Sequence, residues 1–330
     1  MNRIKNIDYF VLLLLLAVAA YPVYMLTAHY LGGDQTHYRR LYGMLADADN
    51  VFEVFRLTKL HVGSGEIVSP LILWFGSYFG IDKDIYIAFW NLVLLGVIYL
   101  ACRHYRLNPV LILLILTNYY LIVLFAAAER LKLGYLFAFL IPFCSTARLR
   151  YAVILASCLS HFQMIIFYLG LFCYFNLEGY LKYAKSILAS PVYLFLLVLL
   201  MVAALVGLQF TGLASAILGK GSIYASGSKF ALSALMQFAL LTICFIWAMA
   251  GRIEARAVYL IVFFGLSIVV LGGDRVNMIY FTAAFFVLMS GGHIKPGSLY
   301  SWPIVALLIY FSVKSIGFVE DVFRYGQGYF

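Results

Sequence analysis

Tyr9 to Ala28 reads YFVLLLLLAVAAYPVYMLTA, twenty residues without a charge, with Arg3 and Lys5 just upstream. At about 1.5 Å per residue such a run matches the roughly 30 Å hydrocarbon layer of a bilayer, which makes it a membrane-crossing helix. The rest of the chain agrees, because 65% of its 330 residues are hydrophobic and only 11% are charged. A soluble domain carries about a quarter charged residues, so a water-soluble globule, a disordered chain, a coiled coil and a nucleic-acid-binding domain are excluded. A transmembrane barrel shows weakly alternating segments of about ten residues, whereas Val11 to Ala20 and Tyr193 to Val206 are unbroken apolar runs. Lipid offers the backbone no hydrogen bonds, and the expected fold class is therefore all-α, a polytopic transmembrane helical bundle.

Lysines and arginines gather at the ends of apolar runs, so the net charge of +9 reports orientation, with no nucleic acid as partner. With Arg3 and Lys5 cytoplasmic, the first span emerges outside and is not a cleaved leader. Residues 29–84 then form an external loop, in which 67–80 is an interfacial helix too short to cross. Spans two to four are expected at Ile85–Cys102, Pro109–Ala128 and Leu133–Ala147, which returns Arg103, Arg106, Arg148 and Arg150 to the cytoplasmic side. Tyr151 to Phe175 reads either as one tilted span or as two half-depth helices meeting near His161. The hairpin is preferred because it puts the basic turn Gly251 to Arg256 inside and Gly272-Gly273-Asp274-Arg275 outside. Further spans at 191–209, 231–250, 257–271, 276–290 and 303–318 bring the total to about nine full crossings. Residues 210–229 form a second external loop and 319–330 an external tail, all within a single integral membrane domain, 1–330. The five cysteines lie in or beside apolar segments without a CxxC pair, which makes them packing residues. With no Walker, HExxH, GxSxG or Asp-x-Asp pattern, neither metal nor cofactor is expected, and any chemistry belongs at the membrane surface.

Charges of both signs concentrate on the expected outer side. Asp34 begins a turn into a helix, where a carboxylate serves either as an N-cap or as a general base. Arg130 follows an apolar span between Glu129 and Lys132; it either snorkels and pairs locally, or offers its planar fork to a diphosphate. Arg275, behind two glycines and Asp274, has the same two readings. His161 sits among polar residues inside an apolar segment, satisfied across a helix interface or acting on a proton. Among the aromatic residues, Tyr38, Trp74, Tyr280, Tyr325 and Tyr329 can stack on sugar rings, although most serve in belts and packing.

In order along the chain, four landmarks resemble the EpsG-like, Wzy-type bacterial polysaccharide polymerases (O-antigen, capsule or exopolysaccharide). These are Asp34-Gln35-Thr36-His37-Tyr38 after span one, Arg130 in Ala128-Glu129-Arg130-Leu131-Lys132, Ala156-Ser157-Cys158-Leu159-Ser160-His161, and Arg275 ahead of Tyr280-Phe281. The chain departs from the family in splitting its Glu-Pro pair into Glu66 and Pro70, and in lacking the amide after Arg130. The resemblance implies an inner-membrane glycosyltransferase whose substrate is an undecaprenyl-diphosphate-linked oligosaccharide. The growing glycan passes to the non-reducing end of a new lipid-linked unit, and the partners are a chain-length regulator and a flippase. On that basis Arg130 and Arg275 bind the donor diphosphate, and Asp34 or His161 is the base. Arg39 or Arg40 holds the acceptor lipid, with Tyr38, Glu66, Glu129, Asp274, Tyr280 and Tyr325 as further substrate contacts. Two alternatives stand beside this reading: a flippase or exporter, which needs charges through the membrane depth, and a membrane acyltransferase, which needs a membrane His with a cytosolic thioester site.

Overall fold

The apolar runs fold as helices throughout the residues that the computed structural model describes, which are 6–63, 65–188, 232–249, 254–271, 273–294 and 301–327. No strand occurs among them. Two compact units divide the chain, Met1–Ile166 with Met289–Phe330, and Phe167–Leu288. No Pro- or Ser-rich linker marks the boundaries, which fall inside helices.

In the first unit, α1 (Asn6–His29) and α5 (Lys83–His104) run antiparallel. Arg103 Nε donates to Asp8 at one end, at 2.7 Å, and Asn91 Nδ2 donates to Thr27 Oγ1 nearer the other, at 3.2 Å. Between them come α2 (Gln35–Leu45), α3 (Val51–Val62) and α4 (Val68–Tyr78), folded over a core of Tyr38, Leu41, Leu45, Val54, Leu73 and Tyr86. Pro109 starts α6 (Pro109–Leu116), and α7 (Tyr119–Ala127) follows after a 41° bend. The bend sits at Thr117-Asn118, where Asn118 Oδ1 caps α7 and Ser315 Oγ donates to the Thr117 carbonyl at 2.9 Å. Then α8 (Glu129–Leu140), a short 3-10 turn at Ile141–Phe143, and α9 (Ala147–Ser160) form an antiparallel hairpin, stitched where Ser157 donates to the Gly134 carbonyl at 2.7 Å.

One end of this unit carries basic residues. Arg103 meets Asp8, His104 packs on Phe143 at 5.6 Å between ring centres, and Arg150 donates to the Cys144 carbonyl. The other end gathers α2 to α4, the start of α8 and the end of α9. Helix α10 (Gln163–Leu188) leads into the second unit, which holds α11 (Leu232–Ala248), α12 (Ala255–Leu271) and most of α13 (Gly273–Ser290). Helix α14 (Trp302–Tyr325) belongs to the first unit.

Several expectations are corrected. By length and apolarity, only α1, α5 and α14 among the described residues suffice to cross a membrane, or four spans if the bent α6–α7 pair is one. The expected nine crossings are not confirmed among the described residues. The α4, α11, α12 and α13 segments are apolar but shorter, and the expected span 191–209 and loop 210–229 lie outside the described residues. The segment 151–175 breaks at His161, and its second arm, α10, runs for 26 residues, of which Gln163–Asn176 is a shorter apolar helix. Most of the expected tail 319–330 is helical, since α14 continues to Tyr325 and stops at Gly326, whose φ of 72° suits a residue without a side chain.

Charge is buried where α5 meets α8. Lys83 Nζ lies 2.5 Å from Glu129 Oε1 and 2.9 Å from Gln35 Oε1, with both members of the ion pair at least nine-tenths buried. Removing one partner of such a pair costs about 3–5 kcal/mol, whereas replacing both with apolar groups is often neutral. Lys83→Met should therefore destabilise the protein by that amount in detergent, measured by denaturant titration, and Lys83→Met with Glu129→Leu should recover most of the loss.

Candidate functional site

The site is assembled by helix ends. A terminating α-helix leaves its last carbonyls without intrahelical donors. At the end of α9 the Leu159 carbonyl accepts from Ile67 N at 3.0 Å and the Ser160 carbonyl from the Ser69 hydroxyl. These two bonds clamp the chain just before and within the start of α4 against α9, and so place Glu66 beside His161. At the end of α7 the Phe125 carbonyl accepts from Asn91 and Lys132, at 3.1 and 2.8 Å, and the Ala126 carbonyl from Gln35 at 3.0 Å. The helix is interrupted at Ala128 (φ −117°, ψ 66°), and α8 begins there with Arg130 in its first turn.

Four side chains join as a result. One Glu66 oxygen accepts from Arg130, the other lies 2.5 Å from His161 Nδ1, and Arg130 Nε donates to the Tyr38 hydroxyl. The guanidinium also lies over the Tyr38 ring, 5.9 Å from its centre. Glu66 is 4% exposed, His161 7% and Tyr38 3%. Burial pushes the Tyr38 phenol well above its ordinary pKa and outweighs the opposing pull of Arg130, so the hydroxyl stays protonated. The His161 Nε2 atom lies 3.0 Å from the Gln163 side-chain amide.

Asp34 stands exposed at the N-cap position of α2, but its carboxylate does not cap the helix, which removes the capping role expected for it. Its position is set by the link from α1 to α2, where the Leu31 and Gly32 amides donate to the Gly326 carbonyl at 2.7 and 2.9 Å. A Cβ on Gly32 would lie 2.6 Å from Gln327, so this approach requires glycine.

Other expected contacts are engaged elsewhere. Arg39 pairs with Asp84 at 2.9 Å and donates to the Thr27 carbonyl at the end of α1, which makes it a brace between helices. Arg40 is exposed on α2. Glu129 belongs to the Lys83 pair. Tyr280 is fully buried in the second unit, its hydroxyl 3.2 Å from Thr242 and its ring against Phe238 and Phe264, so it presents no face to a sugar. Arg275 lies in the first turn of α13 in that unit, and the side chain of Asp274 lies outside the described residues. The glycine at 273 serves packing: a Cβ there would fall 2.1 Å from that of Ala234 on α11. Tyr325 is exposed at the end of α14.

Sequence reasoning did not foresee Glu66 as the centre of the cluster, nor the roles of Gln35, Lys83, Lys132 and Gln163. The partners of Glu66, Gln35 and Lys83 are distant in sequence, whereas Gln163 and Lys132 have partners two and seven residues away, on His161 and Phe125. No group of His, Cys, Asp and Glu that could hold a metal ion occurs among the described residues. No family model, curated protein or solved structure matches the chain.

The cluster sets an order of costs. Glu66→Ala strands a buried guanidinium and should cost about 3–5 kcal/mol. Tyr38→Phe removes one hydrogen bond to a charged group and should cost about 1.5–3 kcal/mol. Denaturant titration of the two variants in the same detergent checks the order.

Proposed function

We propose that the chain is a glycosyltransferase of the polysaccharide-polymerase kind. It lengthens a glycan carried on a polyprenyl diphosphate at the outer face of the bacterial cytoplasmic membrane. The observation that supports this most is the shared Glu66 carboxylate, which orients a fixed cation, Arg130, and a proton acceptor, His161, side by side. The resemblance of Asp34 to Tyr38, Arg130, His161 and Arg275 to the polymerase family points the same way. The long apolar helices, with Arg103, Arg106, Arg148 and Arg150 at the end of the first unit away from the cluster, suit a membrane enzyme whose site faces outward.

In this reading the acceptor sugar's hydroxyl oxygen attacks the anomeric carbon of the donor glycan. The bond from that carbon to the diphosphate oxygen breaks, and its electron pair leaves with the lipid diphosphate. Glu66 accepts from His161 Nδ1–H, and Nε2 takes the hydroxyl proton once the acceptor sugar displaces the Gln163 side chain that lies 3.0 Å from it. Asp34, exposed at the start of α2, meets the acceptor sugar. An arginine has five N–H donors; those of Arg130 not directed at Tyr38 and Glu66 stabilise the departing diphosphate. The family resemblance adds Arg275 as a further residue that transfer requires. The chemistry uses neither nucleotide nor metal, since the donor is already activated.

The test is reconstitution with a lipid-linked repeat unit. A ladder of lengthened glycans should form without nucleotide and in the presence of a chelator. Arg130→Ala and Arg275→Ala should each lower the rate at least about 100-fold, and lysine at either position should restore little of it, because the bidentate fork is lost. Full activity of both alanine variants removes this reading, and lipid-linked units that cross the bilayer without lengthening would favour an exporter.

Orientation is tested separately. In a background with the native cysteines replaced, Thr36→Cys should react with a membrane-impermeant maleimide in intact spheroplasts. Arg148→Cys should react only after permeabilisation, and the reverse pattern would turn the site toward the cytoplasm.

A further inference from the structure

A small cavity of about 10 Å³ lies where α4, α5 and the start of α8 meet, walled by Leu73, Ile87 and Leu133 and lined on its charged side by Glu129, Arg130 and Lys132. That is room for one water molecule.

Two of the lining groups are incompletely met by the protein. Glu129 is 3% exposed and Lys132 1%. Glu129 gives Oε1 to Lys83, while its Oε2 is buried without a hydrogen-bonding partner among the described residues. Lys132 Nζ donates to the Phe125 carbonyl at 2.8 Å, which leaves it at least one N–H over. The two residues stand three apart on α8 and so share a face of the helix, yet among the described residues no ion pair joins them. A buried carboxylate oxygen left unmet is costly, and in a polar cavity of this size water is what meets it. One molecule serves both groups: it donates to Glu129 Oε2 and accepts from Lys132 Nζ. Its second O–H has Ser69 Oγ as an acceptor on the same lining, since the Ser69 proton goes to the Ser160 carbonyl.

We infer that this cavity is a binding site for a single ordered water, held between the Glu129 carboxylate and Lys132 Nζ. The water closes a chain of polar contacts from Lys83 through Glu129 and Lys132 to the Phe125 carbonyl. That chain passes across the interruption at Ala128 and braces the turn that carries Arg130. The water site does not depend on the proposed transfer chemistry, because buried polar groups and the space between them define it.

X-ray radiolysis of the protein in nanodiscs, exchanged into heavy-oxygen water, tests the site, because hydroxyl radicals made from an ordered internal water mark the side chains beside it. Leu73 and Ile87, each 3% exposed, line the cavity, whereas Leu94 at 0% and Leu131 at 2% are as buried and do not. Mass spectrometry should find Leu73 and Ile87 labelled at least about tenfold more than Leu94 and Leu131. Lys83→Met with Glu129→Leu, which removes the carboxylate without stranding its partner, should bring Leu73 and Ile87 down to the level of the other two. Lys132→Met should lower their labelling as well. If Leu73 and Ile87 of the wild-type chain label no more than Leu94 and Leu131, the cavity is dry and the inference is overturned without recourse to any variant. Labelling that persists in the double variant overturns the hold by Glu129, and labelling that persists in Lys132→Met overturns the hold by Lys132.

Discussion

A helix that ends inside an apolar bundle has no water to accept from, so each terminal carbonyl needs a donor from elsewhere in the chain. Three helices of the first unit face this constraint on the same side. The end of α1 is met by Arg39, the end of α7 by Gln35, Asn91 and Lys132, and the end of α9 by Ile67 and Ser69. Most of these donors come from residues 35–91. That segment is therefore no slack loop between spans: its polar groups are the missing half of the helix ends beneath it, and meeting them brings Glu66 and Tyr38 within hydrogen-bonding distance of Arg130.

Burial then raises the stakes of every charge. Lys83 with Glu129 and Arg130 with Glu66 are paired at short range, as charges withdrawn from water must be. Arg103 with Asp8 does the same at the opposite end, tying α5 to the start of α1. A different device appears midway along α14, where Lys314 lies 4.0 Å from the centre of the Tyr119 ring, beside the bend between α6 and α7. Pairing holds the helices in register, and Ser315, which donates to the Thr117 carbonyl, with Ser312, which donates to the Leu114 carbonyl, lets the bend persist within the bundle.

How much of this was legible in the sequence follows from range. Apolar run length revealed α1, α5 and α14 and the short α4, and the polar Ser160-His161 step inside an apolar stretch revealed the end of α9. Tyr38, Arg130 and His161 were each singled out by residue type and place. Their joining through Glu66 was not readable, because Glu66 reaches Arg130 across 64 positions and His161 across 95. Glu129 and Lys132 read as the charged neighbours of Arg130, Glu129 as a substrate contact, and their burial was not visible in a charged trio beside a span. Tyr280 misled for another reason: in a helix apolar on all sides, periodicity does not tell the buried face from the exposed one. The count of crossings suffered likewise, since hydropathy measures apolar length and does not see the breaks at Thr117-Asn118 and Ala128.

The shared carboxylate gives the proposed chemistry its coupling. Glu66 has two oxygens, one toward Arg130 and one toward His161. When an incoming diphosphate draws the guanidinium toward itself, the negative charge on Glu66 is less neutralised by Arg130 and more available to an imidazolium. Proton uptake by His161 then becomes easier at the moment the donor is bound. Conversely, once His161 carries the proton, Glu66 turns its charge toward the ring, and the guanidinium has more positive charge to offer the leaving group. A lysine in place of Arg130 would break this exchange, because a single ammonium cannot keep Tyr38 and Glu66 in fixed directions while presenting a second edge to a phosphate. In the proposed chemistry, the need for a guanidinium at this position follows from the geometry of the cluster as well as from the charge of the proposed diphosphate.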